Sequence, residues 1–269
     1  MEKIEELDLS IKSKQEDGKN DKDAIDRKLY ELRNFMKLAM DNNPNILEII
    51  FVPDKNIVEI NEFGKELLSN AHLFPWKGCK QKFLGYAFSQ KHKMYIKREN
   101  ISDLRVGYDF FFEELEKGLH TRLLGEYRGS GPFEWFDNHC RIGDVNFHVK
   151  MHIKDVVSKL QNRIDKFGHR TQLVDDYGYD VKFASHLIRL MLEGKELLQT
   201  SRISFPLKEK DLLREIRDGK YSLEEIIKMS EEYEKEIEDL VLTSKLPSKP
   251  RYDEIDKLLI SMVKRRLTL

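Results

Sequence analysis

The chain has 269 residues, 40% of them apolar and 35% charged, with a formal net charge of -1. That is enough chain for one large or two modest globular domains. The balanced charge excludes binding to nucleic acid or membrane by bulk attraction, so any phosphate site must be a local patch. No apolar run approaches the roughly 20 residues that span a bilayer, and the opening "MEKIEELDLSIKSKQ" lacks a signal-peptide core. Cys79 and Cys140 make no disulfide framework. The reading is an intracellular, cytoplasmic, reduced protein with no membrane partner.

Residues 1–25 are charged, Gly-broken and without period, and read as a mobile segment. From Asp26, "DRKLYELRNFMKLAMDNNPN" predicts an amphipathic helix with Leu29, Leu32, Phe35, Met36 and Ala39 on one face, stopped at "DNNP". Asn43 then caps a second helix with Pro44 in its first turn. "NIVEINEFGKELLSNAHLF" continues as turn and helix, and "KGCKQKFLGYAFSQKHKMYIKR" as a helix with a basic exposed face.

Residues 99–174 change texture, through the aromatic "VGYDFFFEELEKGL" and the Gly-studded "GEYRGSGPFEWFDNHCRIGD" to the helical "HVKMHIKDVVSKLQNRIDKFG". Beyond them, "DYGYDVKFASHLIRLMLEGKELL" predicts one long helix over 176–198. Two helical segments follow, with a stop at Gly219 and a capping box of Ser222 with Glu225. A last helix lies in "RYDEIDKLLISMVKRRL". No strand pair or internal repeat is evident, so the fold class is mainly α, a helical bundle with a loop-rich central insertion.

The helix over 176–198 is apolar on both flanks and polar along one stripe. Lys182, His186, Arg189 and Glu193 fall within about 60° of the helical wheel. Such a stripe is either a solvated face with an Arg189–Glu193 pair or a row of donors aimed at phosphate. Asp180 reads as a helix cap or a ligand contact.

Other constellations are weaker. His139, Cys140, His148 and His152 match no common zinc spacing, so no metal site is assigned. Asp165 and His169 read as a polar loop pair. Lys77, Lys80, Lys82, Lys91, Lys93, Lys97 and Arg98 mix with Phe83, Tyr86 and Tyr95; a solvated face is the default and an RNA or acidic partner the alternative. The phenylalanines of "FFFEEL" read as core or partner contacts.

Several stretches, taken in order, carry a resemblance: "LYELRNFMKLAMDNNPNILEIIFVP" (29–53), "KFLGYAFSQ" (82–90), "DYGYDVKFASHLIRLMLEGKELL" (176–198), "LLREIRDGKYSLEEI" (212–226) and "LPSKPRYDEIDKLL" (246–259). Together they resemble the DNA polymerase beta superfamily nucleotidyltransferases of the RlaP-like group. Residues 99–174 resemble nothing that can be placed.

The resemblance implies a Gly-Ser turn followed by Asp-x-Asp, whose carboxylates hold divalent metals, and a third carboxylate from a later strand. That core is not found ahead of Leu29. Gly129-Ser130 with Asp144-Val145-Asn146 is a decoy, since Asn146 replaces the second acid and no apolar strand precedes the glycine. Asp26 stands where the third carboxylate would fall, although a helix N-cap suits it better.

The implied organisation is 1–25 as a flexible segment, 26–98 as the helices following the catalytic core, 99–174 as an insertion and 175–269 as a C-terminal helical domain. The implied substrate-facing residues are Lys182, His186, Arg189, Tyr86 and Gln90. An NTP or another phosphate ligand is the expected partner, with a nucleic-acid end as acceptor. Magnesium is expected only where a complete core, from an upstream segment or a partner subunit, supplies its ligands. The rival readings are a catalytically degenerate nucleotide- or nucleic-acid-binding regulatory module and a structural interaction protein.

Overall fold

The computed structural model describes residues 9–11, 27–167, 174 and 176–268. The chain is mainly α. It divides into two compact units, the first made of 1–86, 190–209 and 232–269 and the second of 87–189 and 210–231.

In the first unit, β1 (Leu9–Ile11) pairs antiparallel with β2 (Arg27–Leu29), Leu9 standing opposite Leu29. The sequence predicts no strand pair here. Three-residue strands are too short to show alternation, and their ladder partners are distant along the chain. Helix α1 (Leu32–Met40) consequently begins later than expected. Its cap is Glu31, whose carboxylate accepts the backbone N–H groups of Arg33 at 3.0 Å and Asn34 at 2.9 Å. This corrects the cap expected at Asp26, a residue that lies outside the described ones, as does most of 1–25.

The "DNNP" turn then forms as its residue types require. Asn42 adopts φ 55°, a left-handed conformation that Asn tolerates, and is fully buried. Its side-chain amide donates to the carbonyls of Met40 and Phe74, and Trp76 Nε1 also donates to Met40 O at 2.9 Å. Asn43 caps α2 (Pro44–Ile50) with Pro44 at the start, as predicted. Helix α3 (Glu62–Ser69) is capped by Asn61. Met36, Ile46, Leu47, Phe74 and Phe83 are buried in this unit.

Helix α4 (Cys79–Glu116) is far longer than the segment read from sequence and carries through the change of texture at residue 99. Its second half belongs to the second unit. There a meander of β3 (Glu134–Trp135), β4 (His139–Ile142) and β5 (Val145–His148) precedes α5 (Ile153–Phe167). The central stretch is therefore helix, sheet and helix around a shared core of Leu104, Phe111, Cys140, Phe147, Ile153, Val156 and Leu160.

Helix α6 (Val181–Thr200) starts later than the sequence predicts. Gly178 takes φ +76° and breaks the chain ahead of it, and Asp180 Oδ1 caps it by accepting Lys182 N–H at 3.0 Å. The remaining helices are α7 (Lys210–Arg217), α8 (Leu223–Thr243) and α9 (Tyr252–Leu267). Gly219 at φ +72° and the reciprocal Ser222–Glu225 box separate α7 from α8 as predicted.

The β4–β5 turn rests on α4. Gly143 has φ +56°, and a side chain there would bring its Cβ to 2.8 Å from Asn100 O. Gly143→Ala is expected to cost about 1–3 kcal/mol from backbone strain alone, read as a lower urea midpoint at unchanged slope.

Candidate functional site

Helix α6 is buried around most of its circumference: Val181, Ala184, Leu187, Ile188, Leu190 and Met191 are each 1% exposed or less. The polar stripe is graded along the helix. Lys182 is exposed, His186 and Arg189 are half-buried, and Glu193 is fully buried. An ordinary solvated face would not end inside the protein, and charge carried inward is costly unless it is used or compensated.

Within the second unit the stripe forms a local cluster. Arg189 Nη2 and His186 Nδ1 lie 3.3 Å apart. Because guanidinium only donates, Nδ1 must accept, which assigns the His186 proton to Nε2. Burial of the ring, then the Arg189 charge, then the Lys93 charge push His186 down to about 4. At neutral pH His186 is therefore an uncharged donor through Nε2, set among cations.

Lys93 was visible in the sequence only as part of the basic run. Its membership of the cluster follows from α4, where Tyr86, Gln90 and Lys93 recur at i, i+4 and i+7 and share one face. That spacing is the signal that would have found it.

The rest of the run resolves differently. Lys80 pairs with Glu238 at 3.0 Å, Lys82 with Asp41 at 2.5 Å and Lys91 with Glu231 at 3.7 Å. Lys93 and Lys182, by contrast, make no ion pair with a described carboxylate. Phe83 is buried, while the side chains of Tyr95, Lys97 and Arg98 lie outside the description.

Tyr86 belongs to the first unit, where its hydroxyl accepts from Asn43 Nδ2 at 2.8 Å. Gln90 belongs to the second and is 9% exposed. Asp180 is committed through Oδ1 to capping α6, and its Oδ2 is buried without a hydrogen-bond partner.

A model of the RNA repair pathway DNA polymerase beta family (RlaP) matches residues 5–261. The chain belongs to this family. The match runs through 99–174, the stretch that resembles nothing in the sequence analysis. The "Uncharacterized 38.9 kDa protein in nrdC-mobD intergenic region" of Enterobacteria phage T4 is 25% identical over 247 residues, covering 82% of this chain and 73% of that protein. No solved structure matches.

The other constellations of this family member fall to ordinary structure. Asp144 of the decoy sits at the β4–β5 turn and is held by Arg163, whose Nε lies 3.1 Å from Oδ1. His148 closes β5 and His152 precedes α5, so they do not share a helix as the sequence suggested; His139 pairs across the ladder with His148. Cys140 faces the core, and His152 Nδ1 lies 2.9 Å from Thr121 O. Asp165 accepts from Gln161, and His169 lies outside the described residues. Among the described residues no three His, Cys, Asp or Glu side chains converge on a common point.

The lowered His186 value fixes a pH window. Between about 6.5 and about 4 the unfolded ring binds a proton that the folded ring resists. Stability attributable to this group is whole above the unfolded value and drains as pH falls toward the folded one. His186→Gln should flatten the acid limb of the stability curve, an effect of about 1–2 kcal/mol for a ring still partly in water. An NMR titration of the imidazole checks the cause directly, since a midpoint near 6.5 would contradict it.

Proposed function

We propose that this chain is the nucleotide- and phosphate-binding part of a nucleotidyl-transfer system, gripping the phosphates with Lys182, His186, Arg189 and Lys93. One observation carries the reading: a rigid helix points a guanidinium, an ammonium and a neutral imidazole donor along one line, while a second ammonium from α4 depresses the same imidazole. Positive charge that raises its own neighbour's cost of protonation is charge that an anion would relieve.

The roles divide by chemistry. Arg189 offers a planar fork to two phosphate oxygens, and Lys182 and Lys93 act as point charges. His186 donates from Nε2. In phosphoryl transfer, charge accumulates on the departing phosphates, and prepositioned donors stabilise it without reorganising. Membership of the family supports nucleotidyl transfer as the chemistry served.

The described residues do not themselves fit a magnesium site, since no carboxylate group among them converges. The reading therefore takes the metal-holding acids from outside those residues, with Asp26 retained as the third carboxylate. A regulatory module that binds nucleotide without turnover would keep the same stripe. Mg-dependent incorporation of labelled NMP by the purified protein separates the two.

Calorimetric titration with ATP tests the grip itself. Lys182→Ala, at an exposed position, should weaken binding about three- to tenfold with the melting temperature nearly unchanged. Arg189→Lys, which keeps the charge and loses the fork, should weaken it about tenfold. Equal affinity in wild type and both variants would return the stripe to structure.

A further inference from the structure

A second surface stands apart in chemistry from the stripe. Four of the eight histidines of the chain, His120, His139, His148 and His152, fall within residues 120–152. Alternation along the meander turns Cys140, Ile142 and Phe147 into the core, and leaves Glu134, His139, Arg141, Asn146 and His148 on the outer face. On that face Phe136 is 44% exposed and stacks on His139, with ring centroids 4.4 Å apart and planes at 7°.

The stack is built rather than incidental. Arg128 Nη2 donates to Phe136 O and to Asp137 O, both at 2.8 Å, and Phe136 N–H donates to His139 O at 2.8 Å. The backbone that presents the ring is thus clamped from two sides. His148, directly across the ladder from His139, accepts the Lys150 backbone N–H on Nδ1 at 3.1 Å, so its Nε2 is left as a donor. Arg141 adds a half-exposed guanidinium, and Glu134, the carboxylate of the row, stands 3.7 Å from it.

We infer that this outer sheet face is a platform for single-stranded nucleic acid, on which one base stacks against Phe136 and its neighbours meet Arg141, Asn146 and His148. A flat aromatic, an imidazole and a guanidinium held on a sheet match a splayed base and its phosphate. A protein partner would need a broader apolar patch, yet Phe136 is the large apolar side chain that this row exposes. The platform is independent of the phosphate-gripping stripe, and its failure would leave that reading untouched.

The test uses the whole chain and a fluorescent oligouridylate of about 12 nucleotides, within the usual footprint of such surfaces, read by anisotropy at low salt. Wild type should bind, Phe136→Ala and Phe136→Leu should each bind about tenfold more weakly or worse, and Phe136→Trp should restore binding. ATP affinity and melting temperature should not move in any of them. A 5-bromouridine oligonucleotide should crosslink to the peptide carrying Phe136. No binding by wild type, or equal binding by wild type and Phe136→Leu, overturns the inference.

Discussion

The burial of α6 on nearly every side is the constraint from which the candidate site follows. Once Leu187, Ile188, Leu190, Met191 and Leu192 are all enclosed, Lys182, His186 and Arg189 share an arc of the first half of the helix that is not fully enclosed. Their alignment keeps these three from being enclosed against hydrocarbon, where an unpaired charge costs several kcal/mol. The same enclosure supplies the desolvation that keeps His186 neutral. Packing thus sets both the geometry of the donors and their protonation.

Much of this was legible because the signals are local. Asn43 with Pro44, the Gly219 stop, the Ser222–Glu225 box and the Asp180 cap each satisfy backbone groups within a few residues, so residue type and spacing suffice to place them. The illegible features depend on partners far along the chain. The pairing of Leu9–Ile11 with Arg27–Leu29 and the short strands of the meander are fixed by ladders and by a shared core, which no window of sequence contains. The start of α6 was misplaced for a different reason. The apolar pattern of 176–198 predicts a helix from Asp176, but Gly178 in a left-handed conformation breaks the chain ahead of Val181.

The length of α4 is written in the spacing of its buried residues. Phe83, Ala87, Gln90, Met94, Ile101, Leu104 and Phe111 are buried at intervals of three, four and seven, in one unbroken register across the charged stretch near residue 99. The composition changes near residue 99 while the periodicity does not, so the change marks no boundary in the helix. The stripe itself was legible from spacing, whereas the approach of Lys93 to His186 joins two helices and required the fold.

Charge accounting sharpens the distinction between a basic surface and a binding site. With a net charge of -1, attraction for phosphate cannot be general, and part of the basic run is consumed locally: Lys80 and Lys91 each meet a glutamate of the α8 region and Lys82 meets Asp41, while Lys195 of α6 meets Glu236. Such exposed pairs contribute little stability, typically below about 1 kcal/mol, but they remove those lysines from competition for anions. Lys93 and Lys182 are left out of that pairing among the described carboxylates. On the proposed reading, selectivity for a polyphosphate over a general polyanion would arise by subtraction. Neutralising the surroundings leaves a narrow line of positive potential where the rigid helix holds it, and a ligand must match that line to gain from it.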